Sequence, residues 1–321
     1  MILGCALRAG APLVARSLRA LGLGGAAGLD HLSAASGLVV VGRYLYVIAD
    51  DEHHLAIFER GDPGPGRLVR MFEGDLPRRR KDHKDRKAAK PDLEALLELP
   101  PGAGLPHGAL LALGSGSRPQ RRRGVLLGLG ADGGVDGSRR LVDLEPLYAG
   151  LAPHIDHLNI EGSFIAGAMF CLLQRGGAES ANTCVRYAWS EVARWLDTGG
   201  PAPRALAVER YALGAIDGVP LGFTDATPLP DGGFVFCAAA EDTGNAYDDG
   251  GCKGSAIGVV DPQGRLAWIA RLEPVCKVEG IALATAGSGR ELLLVSDADD
   301  RESAALLLSA SLPDSALRPP V

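Results

Sequence analysis

Short apolar runs separated by turn residues fill most of this chain, and their order divides it into repeating sets. From residue 37 onward, runs at 37–41, 44–49, 55–58 and 68–72 alternate with turns such as Gly61-Asp62-Pro63-Gly64. Such a pattern predicts an antiparallel meander of four strands. A second set runs through 93–99, 109–113, 125–129 and 141–144, a third through 160–165, 169–173, 185–189 and 206–211, and a fourth through 224–229, 234–237, 257–260 and 266–269. The fifth has only three runs, at 278–283, 292–295 and 305–308. Helices are expected to be rare.

The sets share a signature at the start of the first run. Its fullest form is Leu158-Asn159-Ile160-Glu161-Gly162, with copies at Asp92-Leu93-Glu94-Ala95-Leu96, Thr224-Asp225-Ala226 and Lys277-Val278-Glu279-Gly280-Ile281 and a degenerate relative at Ser36-Gly37-Leu38. These copies recur at intervals of roughly 55 to 65 residues, a period that points to a propeller or solenoid. We therefore expect an all-β fold, one β-propeller over residues 1–321 with five four-stranded blades, six being the alternative if two runs are merged. A blade lacking a strand is commonly completed from the other terminus, which removes an exposed edge. The amphipathic stretch at 14–21 is the expected closing strand, although its Arg and Ala content also suits a short helix.

Composition narrows the partners. A formal net charge of -6 argues against nucleic acid, whose binding ordinarily requires a basic face. One basic stretch, within the inter-blade loop 76–91, runs from Arg78 through Arg86 to Lys87. Its alternatives are an anion-binding patch and a solvated loop, and the acidic chain around it, with Asp82 and Asp85 inside it, favours the loop. No run approaches a membrane span, and residues 1–28 lack the apolar core of a secretory signal, so a cytoplasmic protein is expected, or a periplasmic one if cut from a longer precursor. The six cysteines have no zinc-type or C-x-x-C spacing.

In a meander, the start of the first strand and the end of the second lie on one face. The acidic copies occupy the first place. At the second stand Asp50-Asp51, Ser115 with Ser117-Arg118, Gln174-Arg175, Glu241-Asp242 and Asp297 with Asp299-Asp300. Polar side chains thus converge on one mouth, where Glu94, Glu161, Asp225 and Glu279 are expected to ring the axis. Like charges held close disfavour ionisation, so such a ring must protonate, pair with cations or bind a metal. Oxygen donors suit Ca²⁺, and no His/Cys set argues for zinc. The alternatives are acids that bond backbone N–H groups between blades, and a catalytic carboxylate pair. The mouth is expected to include Ser36, Asp50, Ser117, Arg118, Arg175, Glu241, Lys277 and Asp297, with Arg118, Arg175 and Lys277 as competing neutralisers. Residues 242–249 form an acidic loop that could lend further oxygens. Gly114-Ser115-Gly116-Ser117 lacks the strand-turn-helix setting of a nucleophile elbow, and Gly22-Leu23-Gly24-Gly25 is not followed by a dinucleotide-binding unit.

Asp92-Leu93-Glu94, Asn159-Ile160-Glu161-Gly162 and Val278-Glu279-Gly280-Ile281, followed by Val295-Ser296-Asp297, resemble the signatures of bacterial propellers grouped as SdiA-regulated or esterase-like phytase-domain proteins. The resemblance implies a propeller with a calcium site near Glu94, Glu161, Asp225 and Glu279. This chain departs from the pattern at Ser36, where an acid is missing, and shows no dense Lys and Arg set for several phosphates. Three functions follow as expectations. The first is a calcium-containing propeller binding a small molecule or protein partner at its mouth. The second is a metal-dependent hydrolase of phosphoesters, esters or lactones. The third, a glycosidase using two carboxylates, is demoted by the 5% aromatic content, which leaves few platforms for sugars.

Overall fold

The computed structural model describes residues 2–4, 11–77, 83–102, 104–177, 180–242, 251–284, 290–298 and 300–317. Five antiparallel sheets, each a meander, are arranged around one axis. Blade one comprises Ala35–Val41, Tyr44–Ala49, His54–Glu59 and Arg67–Arg70, and blade two Leu93–Leu99, Ala109–Gly114, Arg123–Leu129 and Val135–Asp143. Blade three comprises Ile160–Ala166, Met169–Gln174, Asn182–Ala188 and Ala207–Ala212. Blade four holds Gly222–Pro228, Phe234–Asp242, Gly251–Val260 and Leu266–Glu273, and blade five Lys277–Leu283, Glu291–Asp297 and Leu306–Ser311. The first strand of each blade contacts those of the blades before and after it, closing the ring at five.

Why the apolar runs are nearly continuous follows from this arrangement. Each sheet is sandwiched between two others, so both of its faces are buried and alternation gives way to unbroken hydrophobic stretches. In Ala109–Gly114, Leu111 and Leu113 enter the layer shared with blade three, whereas Leu110 and Ala112 enter the layer shared with blade one. Blade four divides likewise, with Phe236 facing blade three and Val235 and Cys237 facing blade five. Five apolar layers result, one per seam. Most are Leu, Val and Ala, and the few aromatics concentrate between blades three and four, where Phe223 and Phe236 meet edge to face at 4.9 Å.

The closing strand is split. Leu13–Val14 runs parallel to Leu266–Glu273 on blade four, Ala15 is buried at the seam, and Arg16–Ala20 pairs antiparallel with Leu306–Ser311 as the fourth strand of blade five. One segment thereby staples two neighbouring blades. A further strand, Ile2–Gly4, lies parallel to Ala207–Ala212 and was not expected from the pattern. Gly22-Leu23-Gly24-Gly25 begins a hairpin, Gly22–Ala26 with Leu29–His31, whose turn residues Ala27 and Gly28 have φ of 53° and 74°. Positive φ at both turn positions matches the twist of a tight hairpin. The longest helix, Trp189–Thr198, links the last two strands of blade three and buries Val192, Trp195 and Leu196. No helix among the described residues is long and apolar enough to cross a membrane.

Candidate functional site: a charged mouth built on five bulges

Every innermost strand carries one irregularity, at the same place. Pairing with the second strand slips between Ala35 and Gly37, Leu93 and Ala95, Ile160 and Gly162, Phe223 and Asp225, and Val278 and Gly280. The residues left over are Ser36, Glu94, Glu161, Thr224 and Glu279. A bulge unpairs one residue and re-aims its side chain, and bulges gather beside functional sites. Here they place five equivalent polar groups at one end of the axis.

The two hydroxyls perform one structural task. Ser36 Oγ donates to Leu93 O at 2.5 Å and Thr224 Oγ1 to Val278 O at 2.7 Å, each reaching the innermost strand of the next blade. The three glutamates enter a network of charges instead. Asp225 does not join them. It sits one residue past its bulge, where the other blades have Gly37, Ala95, Gly162 and Gly280, and only 1% of it is exposed. Its carboxylate accepts the N–H of Ile281 at 3.0 Å and of Ala226 at 2.8 Å, and bonds the backbone of Leu38. It therefore ties blade four to blades five and one as an internal strut. Burial pushes its pKa well up, and the backbone donors only partly offset that. Aligning the copies by their hydroxyls, Ser36-Gly37 over Thr224-Asp225, would have given this register.

Among the described residues the mouth brings together seven carboxylates, Asp50, Asp92, Glu94, Glu161, Glu241, Glu279 and Asp297, and four cations, Lys90, Arg121, Arg175 and Lys277. On one side Lys90 Nζ lies 3.0 Å from Asp92 Oδ1 and also contacts Asp50 Oδ2, while Arg121 Nη1 is 2.7 Å from Asp92 Oδ2. Ser115 donates to Asp92, and Ser117 is half-buried beside them. Asp92 has a φ of 56°, a sparsely populated region for a residue with a side chain, held here by four polar partners.

On the other side Arg175 and Lys277 bridge blades three, four and five. Arg175 is 2.8 Å from Glu241 and 3.6 Å from Glu161, and Lys277 lies 3.2, 3.0 and 2.9 Å from Glu241, Glu279 and Asp297. Asn159 donates to Glu161 at 2.5 Å, and Gln174 holds the Asn159 N–H at 2.7 Å. Arg118 lies outside the network. It is exposed at the start of a short turn that carries Arg121 inward, three residues later.

Glu94 stands apart. It makes no hydrogen bond or ion pair among the described residues, although one oxygen each from Asp50, Asp92 and Glu94 lie within 4.8 Å of one another. Burial pushes its carboxyl well above the ordinary range, and Glu161, Asp92 and Asp50 push it further. Burial likewise raises Asp50 and Glu161 to about 7, against the pull of Lys90 and Arg175 respectively, and lifts Glu279 well up despite Lys277. Glu241 and Asp92 run the other way. Burial opposes their charge, but Arg175 with Lys277, and Lys90 with Arg121, hold them below the ordinary range. Seven acids against four bases leave a formal excess of three negative charges.

Sequence reasoning missed Lys90, Arg121 and Arg86. The basic stretch at 76–91 is no purely solvated loop, because its helix His83–Ala89 carries Arg86, buried against Asp51 and Glu52, and ends beside Lys90. Residues 78–82 lie outside the described residues, as do Asp299 and most of the 242–249 loop.

Solved structures offer propeller likenesses at low identity. A β-propeller domain of Cps50 (Swd1) from Myceliophteria thermophila is 13% identical with a TM-score of 0.35, over 88% of this chain and 65% of that one, so this chain spans less than two thirds of that domain. A glutaminyl cyclase from Myxococcus xanthus is 12% identical with a TM-score of 0.45, over 95% and 100%. A gluconolactonase from Xanthomonas campestris is 11% identical with a TM-score of 0.41, over 96% and 100%. No curated protein matches the chain. A family model does match, across residues 31–312, and the chain accordingly belongs to DUF6929, a family of unknown function.

Proposed function

We propose that the mouth binds a divalent cation, with calcium the best fit, and holds a small polar molecule over it. The carrying observation is Glu94, a carboxylate with no hydrogen bond or ion pair among the described residues, beside oxygens of Asp50 and Asp92. A hard cation accepts carboxylate oxygens in flexible geometry, and this donor set offers no soft ligand. Two added positive charges would offset most of the local excess of three. The resemblance to SdiA-regulated and esterase-like phytase-domain propellers supports the same reading. Glu161 and Glu279 belong to the wall of the mouth, where Arg175 and Lys277 already neutralise them.

A second reading, hydrolysis of an ester or lactone, is favoured by Glu161, whose carboxyl titrates at about 7 beside Arg175. A base poised near working pH is what general-base attack by water requires. Hydrolysis of p-nitrophenyl acetate or a simple lactone, lost on chelation and on Glu161→Gln, would select it.

Calcium at 1 mM is expected to raise the melting temperature by several degrees at pH 8, roughly what a ligand at 100 times its Kd supplies. Glu94→Gln is expected to abolish the increment without lowering the calcium-free melting temperature. An unchanged increment in that variant, or none in the wild type, would overturn the site.

A further inference from the structure

The helix His83–Ala89 has no apolar face to bury, since its only small hydrophobes are Ala88 and Ala89, both exposed. Charge holds it instead. Arg86, 3% exposed, contacts Glu52 Oε1 at 2.7 Å and Asp51 Oδ2 at 3.0 Å, and donates to Pro77 O at 3.0 Å and to Asp51 O. The Lys90 N–H closes the last turn onto Arg86 O at 2.8 Å, which continues the helical path and sets the two basic side chains four residues apart on one side. Lys90 Nζ then reaches Asp50 and Asp92 together.

These are two of the three carboxylates assigned above to the ion. An ammonium seated between Asp50 and Asp92 and a divalent cation on the same two carboxylates would lie close enough to repel strongly, and the ion would draw on the charge that holds Lys90 there. Building on that ion-binding reading, we infer that residues 83–90 form a strap whose Lys90 ammonium is a tethered competitor for the divalent cation. Binding the ion expels Lys90 from Asp50 and Asp92 and frees the C-terminal end of the strap, while Arg86 keeps its hold on Asp51 and Glu52. The apparent affinity of the wild-type mouth is lowered by the share of molecules in which Lys90 is seated. Ion occupancy at the mouth thus becomes readable at the surface of blades one and two, a feature suited to signalling the bound state to a partner.

Two measurements on the full chain test this. Calorimetric titration with Ca²⁺ is expected to give about tenfold tighter binding for Lys90→Met than for wild type, within the usual range for coupled equilibria, and near wild-type binding for Lys90→Arg. Saturating Ca²⁺ is expected to speed trypsin cleavage after Lys87 in the wild type, with Arg86 still protected, mapped by mass spectrometry, and this needs no variant to fold. Calcium binding to the wild type with unchanged cleavage, or equal affinity in a folded Lys90→Met protein, would overturn the strap and leave the ion site standing. No calcium binding by either protein overturns both.

Discussion

Replacing Asp225 with alanine is expected to cost about 4 kcal/mol of folding stability, the largest effect of any single side chain discussed. Asp225 is buried, and its carboxylate serves the N–H groups of Ile281 and Ala226 and the backbone of Leu38. Removing the shared acceptor strands these donors where water has no ready access, at about 1 to 3 kcal/mol each. The damage falls on the meeting of blades four, five and one, where the chain also closes on itself through Arg16–Ala20. Asp225→Asn retains one acceptor oxygen and is expected to lose about half as much. Urea unfolding compares the three proteins, and a cost below about 1 kcal/mol for the alanine variant would show that the strut carries no weight.

The second large effect is on pH. With calcium chelated, stability is expected to fall as pH rises through neutrality. Glu161 shows the sign. Its folded pKa, about 7, lies above its ordinary 4.5, so the folded state holds this proton more tightly. The stability that this supplies is complete below about 4.5 and is lost as pH climbs through 7, to the order of 3 kcal/mol. Glu94 and Glu279 are shifted in the same direction and extend the loss to higher pH. Asp92 and Glu241 are held low, so their contribution disappears at the acid end. An optimum between about pH 4 and 6 follows. Calcium, by replacing the protons held at Glu94 and Asp50, should flatten part of the alkaline limb. Urea midpoints at pH 5.5 and 8.5, with chelator and with calcium, check this, and a chelated protein more stable at 8.5 contradicts it.

Much of the architecture could be read from the residues alone because a propeller repeats its instructions. Both faces of each sheet are buried, so runs such as Leu110-Leu111-Ala112-Leu113 are unbroken, and the missing run of the fifth set pointed to a donor strand near residues 14–21. The split of that strand at Ala15 was hidden, since only the seam between blades four and five gives the residue a reason to be buried. Glu94, Glu161 and Glu279 stood out because an acid before a small residue is rare inside an apolar run. Asp225 looked equivalent but is offset by one, because Thr224 occupies the bulge. Arg86 and Lys90 were hidden for another reason. A run of lysine and arginine reads locally as solvated, and nothing nearby in sequence reveals that Asp50, Asp51, Glu52 and Asp92 meet it in space. Arg118 and Arg121 differ only in which way a turn of Pro119–Arg121 carries them.

A cation seated at Glu94 is the centre of the proposed function. Crystals grown with Mn²⁺ as an anomalous stand-in for calcium would test it directly. The predicted map has a peak within about 2.0 to 2.6 Å of oxygens from Glu94, Asp50 and Asp92, with Lys90 withdrawn from both aspartates. A map without density there, and with Lys90 still bridging Asp50 and Asp92, would contradict it.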